Sequence, residues 1–372
     1  MKNTVLPFLI LGLMTFSSCK KDATNTTDDS TTNTIPTYTV PETYSFGSNM
    51  NYTLATAHIN MTKELVAYVR STHNVTANIV LDMNKLKGMF INTAGSFTDA
   101  TLSNVSVSLN SKMSDAYGLK SSFDGLLSEI ATVSSGTAVA KDGTAGKLIG
   151  TNSSGTQAAW LLDKNGFEYK ELVEKGVMGA LFYAEAMQLL KDIETYDNST
   201  VVAGEGTAME HAWDLAFGYF GAPTSFPTST TGLSYWGSYC NSVNAAIGSN
   251  STMMNAFLKG RAAIGAKDLT AMREAKSTLV TTWEKFAAAK LVNYLKGAKT
   301  NLALDGQRSH NLSEAIGFVR GFRYNSAKII TDAQLDQQLQ LLGNNFYNIT
   351  SSTIDQLISN LCSIYNLDAS KL

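Results

Sequence analysis

Charge is what this sequence has least of. Asp, Glu, Lys and Arg make up 16% of its 372 residues, against about 25% in an ordinary globular chain. Lys plus Arg number 29 and Asp plus Glu 31, for a formal net charge of −2, and no basic patch stands out. That chain lacks the electrostatic footprint of a nucleic-acid binder, so nucleic acid is not an expected partner. Proline is scarce too, with five in all, which argues against long extended linkers inside the body. Of the three cysteines, none forms a Cys-x-x-Cys pair, which excludes thioredoxin-type and Cys-rich zinc sites. Phosphate-binding loops, Gly-x-Ser-x-Gly elbows and His-Glu-x-x-His helices are absent. The acidic stretch DDSTTNT lacks the glycine and terminal glutamate of a calcium loop. What is present is 44% hydrophobic residues, enough for a sizeable core, with Ser, Thr and Asn supplying surface polarity. At roughly 150 residues per domain, the length suits two domains or one large one.

The start of the chain reads as an address. Lys2 supplies a positive charge, and residues 5–16 (VLPFLILGLMTF) supply a short apolar run. That run is too short to span a bilayer, which takes about 20 helical residues. Phe16-Ser17-Ser18-Cys19 then places small residues before a cysteine, the cleavage pattern of bacterial lipoprotein signals. Residues 1–18 are therefore expected to be a signal peptide and Cys19 the acylated first residue. An acyl chain anchors by burying CH₂ groups at about 0.8 kcal/mol each. Residues 19–41 have few apolar side chains and read as a flexible, disordered tether. Lys20-Lys21-Asp22 partly matches the signal that Bacteroidetes use to send lipoproteins to the cell surface. The expected place is the outer membrane, facing either the periplasm or the outside, with the membrane as one partner. Cys240 and Cys362 read as buried thiols, although an exported protein permits a disulfide.

The body, residues 42–370, reads as helices. Apolar residues recur at three and four over residues 49–72, 81–92, 112–133, 167–195, 207–220, 233–247, 251–265, 268–296, 309–322, 331–343 and 350–365. Asp82 and Asp268 are N-caps, and Gly297 ends its helix. Residues 134–157 have loop composition, with room for a small hairpin reaching Trp160. Gly176 and Gly179 each cost the long helix about 1 kcal/mol relative to Ala, so another backbone or a ligand must come close there. The expected fold is all-α: a multi-helix bundle, as one extended unit or two packed bundles.

Histidine numbers four. His58 and His73 have no carboxylate at ligand spacing and read as surface or interface residues. His211 sits in Glu205-Gly206-Thr207-Ala208-Met209-Glu210-His211-Ala212-Trp213-Asp214, where helical spacing brings Glu210, His211 and Asp214 together. Imidazole plus carboxylates suits a transition metal such as iron or zinc. His310 and Glu314 stand four apart on another helix. Glu174 lies on the apolar side of the long helix, where a carboxylate must pair, bind or reach water. The metal candidates are thus His211, Asp214, Glu210, Glu174, His310 and Glu314, and the alternative is a set of structural ion pairs.

GFEYKELVEKGVMGALFYAEA, EGTAMEHAWDLAFGYFG, AFLKGRAAI and HNLSEAIGFVRGFRYN together resemble a family of Bacteroidetes lipoproteins known only as a domain of unknown function. The resemblance covers roughly residues 42–370. That family in turn is similar to imelysins, exported all-helical proteins tied to iron uptake and labelled as peptidases. The imelysin motif is Gly-x-His-x-x-Glu, and its nearest match here is His211-x-x-Asp214, with Asp for Glu. The resemblance implies a lipoprotein that binds iron or an iron-bearing ligand beside a TonB-type outer-membrane receptor. A metal-dependent hydrolase with Glu210 as base, and a ligand-free accessory lipoprotein, are the alternatives. Without a second histidine after His211, binding is favoured over catalysis.

Overall fold

A computed structural model describes residues 37–372, and the expected signal peptide, the acylated Cys19 and most of the tether lie outside them. The described chain is all-α apart from one hairpin, and it forms one compact unit rather than two. In chain order the longer helices before the hairpin are α1 (Thr53–Arg70), α2 (Met83–Ile91) and α3 (Leu119–Ser135). The hairpin pairs β1 (Gly146–Thr151) with β2 (Gln157–Leu162), antiparallel, with Leu148 opposite Trp160. Then come α4 (Tyr169–Val177), a π-helical turn (Met178–Tyr183) and α5 (Ala184–Lys191), continuous as one rod. They are followed by α6 (Ala208–Phe220), α7 (Tyr235–Ser242), α8 (Ser249–Gly265) and α9 (Leu269–Thr300). The last are α10 (Asp305–Gly321), α11 (Asp332–Leu342) and α12 (Ser351–Tyr365). No described helix is long and apolar enough to cross a membrane.

Local chemistry explains most boundaries. The Asp82 carboxylate accepts from Lys85 N at 2.9 Å and Asp268 from Ala271 N at 3.0 Å, so both cap as expected. Thr207 and Glu210 form a reciprocal capping box at the head of α6. Gly118, in the left-handed region, delays α3 to Leu119. Gly297 does not stop α9, which runs on to Thr300, because its bare Cα is where Asn311 of α10 packs, 3.1 Å from where a Cβ would stand. The core is a single cluster crowded with aromatics. Trp283 of α9 is fully buried and contacts Tyr183, Phe220, Trp236, Phe257 and Phe286.

The elements that matter for the site are the hairpin, α4 and α10. Trp160 of β2 lies over Gly306 in the first turn of α10, where any side chain would collide with the indole. Helices α4 and α10 run parallel with a constant offset. Glu168 meets His310, Lys175 packs on Gly317, and Gly179 meets Gly321, each pair 142 residues apart. A Cβ at Gly179 would stand 3.1 Å from the Gly321 Cα, so close backbone approach accounts for this glycine. Gly176 faces the Leu119 and Phe123 side chains instead. The π turn has its Met178 and Ala180 carbonyls occupied by Trp236 Nε1 and Ser114 N. Near the start of the described chain, Tyr38 donates to Asp268 at 3.2 Å and Tyr44 is fully buried.

Candidate metal centre

Asp163 begins the site. Its carboxylate accepts from Asn165 N and Phe167 N, both at 2.8 Å, and Gly166 takes a φ of +84° to complete the turn. The turn delivers Glu168 to the N-cap of α4, with its backbone N–H donating to Ser313 Oγ at 2.8 Å. Glu171 follows one turn on. Anionic side chains at a helix N-terminus sit where the helix dipole favours them. Across the interface, α10 presents His310. Its Nδ1 lies 2.7 Å from Glu168 Oε2 and 3.4 Å from Glu171 Oε1. Its Nε2 faces Glu314 Oε1 at 3.8 Å. Among the described residues, Glu168, Glu171 and His310 are the group whose donor atoms gather within 4.8 Å of one another. Donors held about 2.1 Å from one ion stand roughly 3.0–3.4 Å apart in octahedral or tetrahedral geometry, and the two distances from His310 Nδ1, 2.7 and 3.4 Å, lie close to that range.

Glu168 and Glu171 are fully buried. Glu168 Oε1 and His73 Nε2 approach to 3.3 Å, yet neither has an aligned hydrogen-bond partner. Buried polar atoms left this way are costly, at about 1–3 kcal/mol each. Lysines balance the acids. Lys170 meets Glu171 at 2.6 Å and Glu174 at 2.5 Å, while Lys175 meets Glu314 at 2.9 Å, Glu174 at 2.7 Å and Glu171 at 3.1 Å. Burial disfavours charge on Glu171, but Lys175, Lys170 and His310 outweigh it and hold its carboxyl below the usual range. Burial likewise opposes charge on His310, yet Glu168, Glu171 and Glu314 push its imidazole up to about 9. For Glu314 burial dominates and its pKa rises. A cavity of about 310 Å³ opens beside these groups, walled by Arg70, His73, the hairpin and Gln307.

The six metal candidates from the sequence separate in space. His310 and Glu314 belong to this centre, and Glu174 borders it through Lys170 and Lys175. Glu210 and Asp214 are elsewhere, on either side of the Arg261 guanidinium. Arg261 Nη1 donates to Glu210 Oε1 at 2.6 Å and its Nε to Asp214 Oδ1 at 2.9 Å. Tyr44 OH and Asn51 N also donate to Asp214, at 2.7 and 3.3 Å. A cation of the protein's own thus fills the place where a metal would bridge these two acids. His211 is half-buried, its Nδ1 has no hydrogen-bond partner, and it is not part of that ion-pair cluster. His58 is not at the surface: it is fully buried, with Nδ1 3.0 Å from the Tyr219 hydroxyl. His73 does find a carboxylate, Glu168, though not a neighbour in sequence. The residues missed were Glu168, Glu171 and His73. A usable signal was Gly166-Phe167-Glu168-Tyr169-Lys170-Glu171, which has the Gly-x-x-x-x-Glu spacing sought at His211. Cys240 and Cys362 are unbridged, and burial pushes the Cys240 thiol up to about 12.

These features define an all-helical protein with a buried carboxylate–imidazole centre between two parallel helices. The chain belongs to the family described as Domain of unknown function (DUF4856), whose model matches residues 41–368. No curated protein and no solved structure matches it.

Proposed function

We propose that this chain is an exported lipoprotein that binds a divalent transition metal, iron or zinc, through Glu168, Glu171 and His310, as an accessory to uptake at the outer membrane. The observation that carries the reading is the convergence of three donors from two helices beside Glu168 Oε1 and His73 Nε2, which stand 3.3 Å apart without an aligned hydrogen bond. Carboxylates and imidazole suit both metals, and three protein donors leave coordination positions open. Glu314, behind His310 Nε2, is placed as an outer carboxylate that orients the ligand ring. The likeness to imelysins supports the same assignment: Gly166-x-Glu168-x-x-Glu171 has their motif spacing, with Glu in place of His. The lipoprotein part rests on Cys19 and the residues before it. A TonB-type receptor is the partner this reading implies.

Binding is preferred to hydrolysis because Glu210, the base named for a hydrolase, is engaged by Arg261 and Thr207 and does not line the cavity. Metal analysis of the full chain after incubation with Fe(II) or Zn(II) tests the reading. One metal per chain is expected in the wild type and in His211→Ala, and none in His310→Ala. Metal retained by His310→Ala overturns the site. In cells, Cys19→Ala is expected to move the protein from the membrane to the soluble fraction, and a variant still membrane-bound ends the lipoprotein reading.

A further inference from the structure

The cavity is larger than a bare ion needs. Its volume of about 310 Å³ is far above the roughly 10–15 Å³ that a single water needs, whereas three protein donors leave only one to three coordination positions to fill. Its lining includes polar side chains besides the donors. Asn152 and Gln157 of the hairpin and Gln307 of α10 face it, and Arg70 stands at its edge. Among the described residues Arg70 makes no ion pair within 4.0 Å, although it lies beside an acidic centre.

The fixed charges point the same way. With His310 present as a neutral ligand, Glu168, Glu171, Glu174 and Glu314 carry four negative charges against three positive ones on Lys170, Lys175 and Arg70. A dication converts this deficit of one into an excess of one, in a partly buried place where uncompensated charge is costly. An anion on the open side of the metal restores neutrality, and an arginine fork matches a carboxylate in shape as well as in charge.

We infer that the centre takes its metal as a complex with a small carboxylate-bearing chelator, which coordinates the ion from the cavity side and is held by Arg70, Gln307 and the hairpin. The inference rests on the metal reading above. The hairpin then has a role in an otherwise helical protein: it is the wall against which the chelator lies.

Equilibrium dialysis of the full chain with radiolabelled citrate as the probe, with and without Zn(II), tests it. One citrate per chain is expected with zinc and none without it. Arg70→Ala removes no metal donor and is exposed, so the fold tolerates it. That variant is expected to bind zinc alone as the wild type does and to hold citrate at least tenfold more weakly. Glu168→Gln is expected to lose both. Zinc bound without any citrate retained overturns the chelator and leaves the metal site standing. Citrate retention unchanged in Arg70→Ala also overturns it. No zinc bound by the wild type overturns the metal reading and this inference together.

Discussion

Two clusters of buried charge, one closed and one open, sit in the same fold. In the closed one, Arg261 lies between Glu210 and Asp214, and Tyr44, Asn51 and Thr207 take up the remaining acceptor positions. In the open one, Glu168 Oε1 and His73 Nε2 are left without hydrogen bonds beside a cavity. In each case a histidine stands near the acids in sequence, His211 beside Glu210 and His310 four before Glu314, so composition does not distinguish them. Satisfaction does. A buried ion network whose every group is partnered holds structure, whereas polar atoms left unmet with room beside them call for a partner from outside the chain, whether water or a ligand.

The sharpest way to break this comparison is to remove the cation of the closed cluster. Arg261→Ala leaves Asp214 buried without its cation, and is expected to cost about 3–5 kcal/mol in urea unfolding, with metal content per folded chain unchanged. A loss below about 1 kcal/mol would remove its structural role. Acid response comes next, and His58 must be separated from both clusters. Burial lowers its pKa to about 4 from the ordinary 6.5. The unfolded chain therefore takes up the proton first. Stability is complete above pH 6.5, falls as pH drops toward 4, and loses nothing more from this group below that. The shift corresponds to about 3 kcal/mol at about 1.4 kcal/mol per unit. His58→Gln should flatten the difference between unfolding at pH 7 and pH 4 by that amount, and parallel curves would contradict it. The smallest stability effect belongs to the open cluster. Glu168→Gln is expected to change unfolding by less than about 2 kcal/mol while abolishing metal binding. A large loss of stability with metal retained would reverse the two assignments.

Much of the fold was legible because helical periodicity is local. The apolar spacing around Trp283 and the caps at Asp82 and Asp268 needed no knowledge of distant residues. The hairpin was faint for a physical reason: Ala159, Trp160, Leu161 and Leu162 are all buried, so β2 does not alternate. Gly297 looks like a stop in the sequence because its partner, Asn311, is on the next helix. At the site, His310 and Glu314 were visible as neighbours four apart. His73 was not, since its carboxylate is Glu168, brought by a turn far along the chain. Glu210 and Asp214 looked like ligands because Arg261, which neutralises them, belongs to another helix.

The glycine contact between the π turn and α10 bears on the spacing of the proposed donors. Glu168 and His310 each lie 11 residues before their glycine, Gly179 and Gly321, about 16 Å along each helix at 1.5 Å per residue. The two rods therefore behave as the arms of a caliper whose jaw opening is set at the far end. A single methyl group at Gly179 would press on the Gly321 backbone without touching a donor of the proposed metal site, so Gly179→Ala tests whether the donor spacing follows the packing of the two rods.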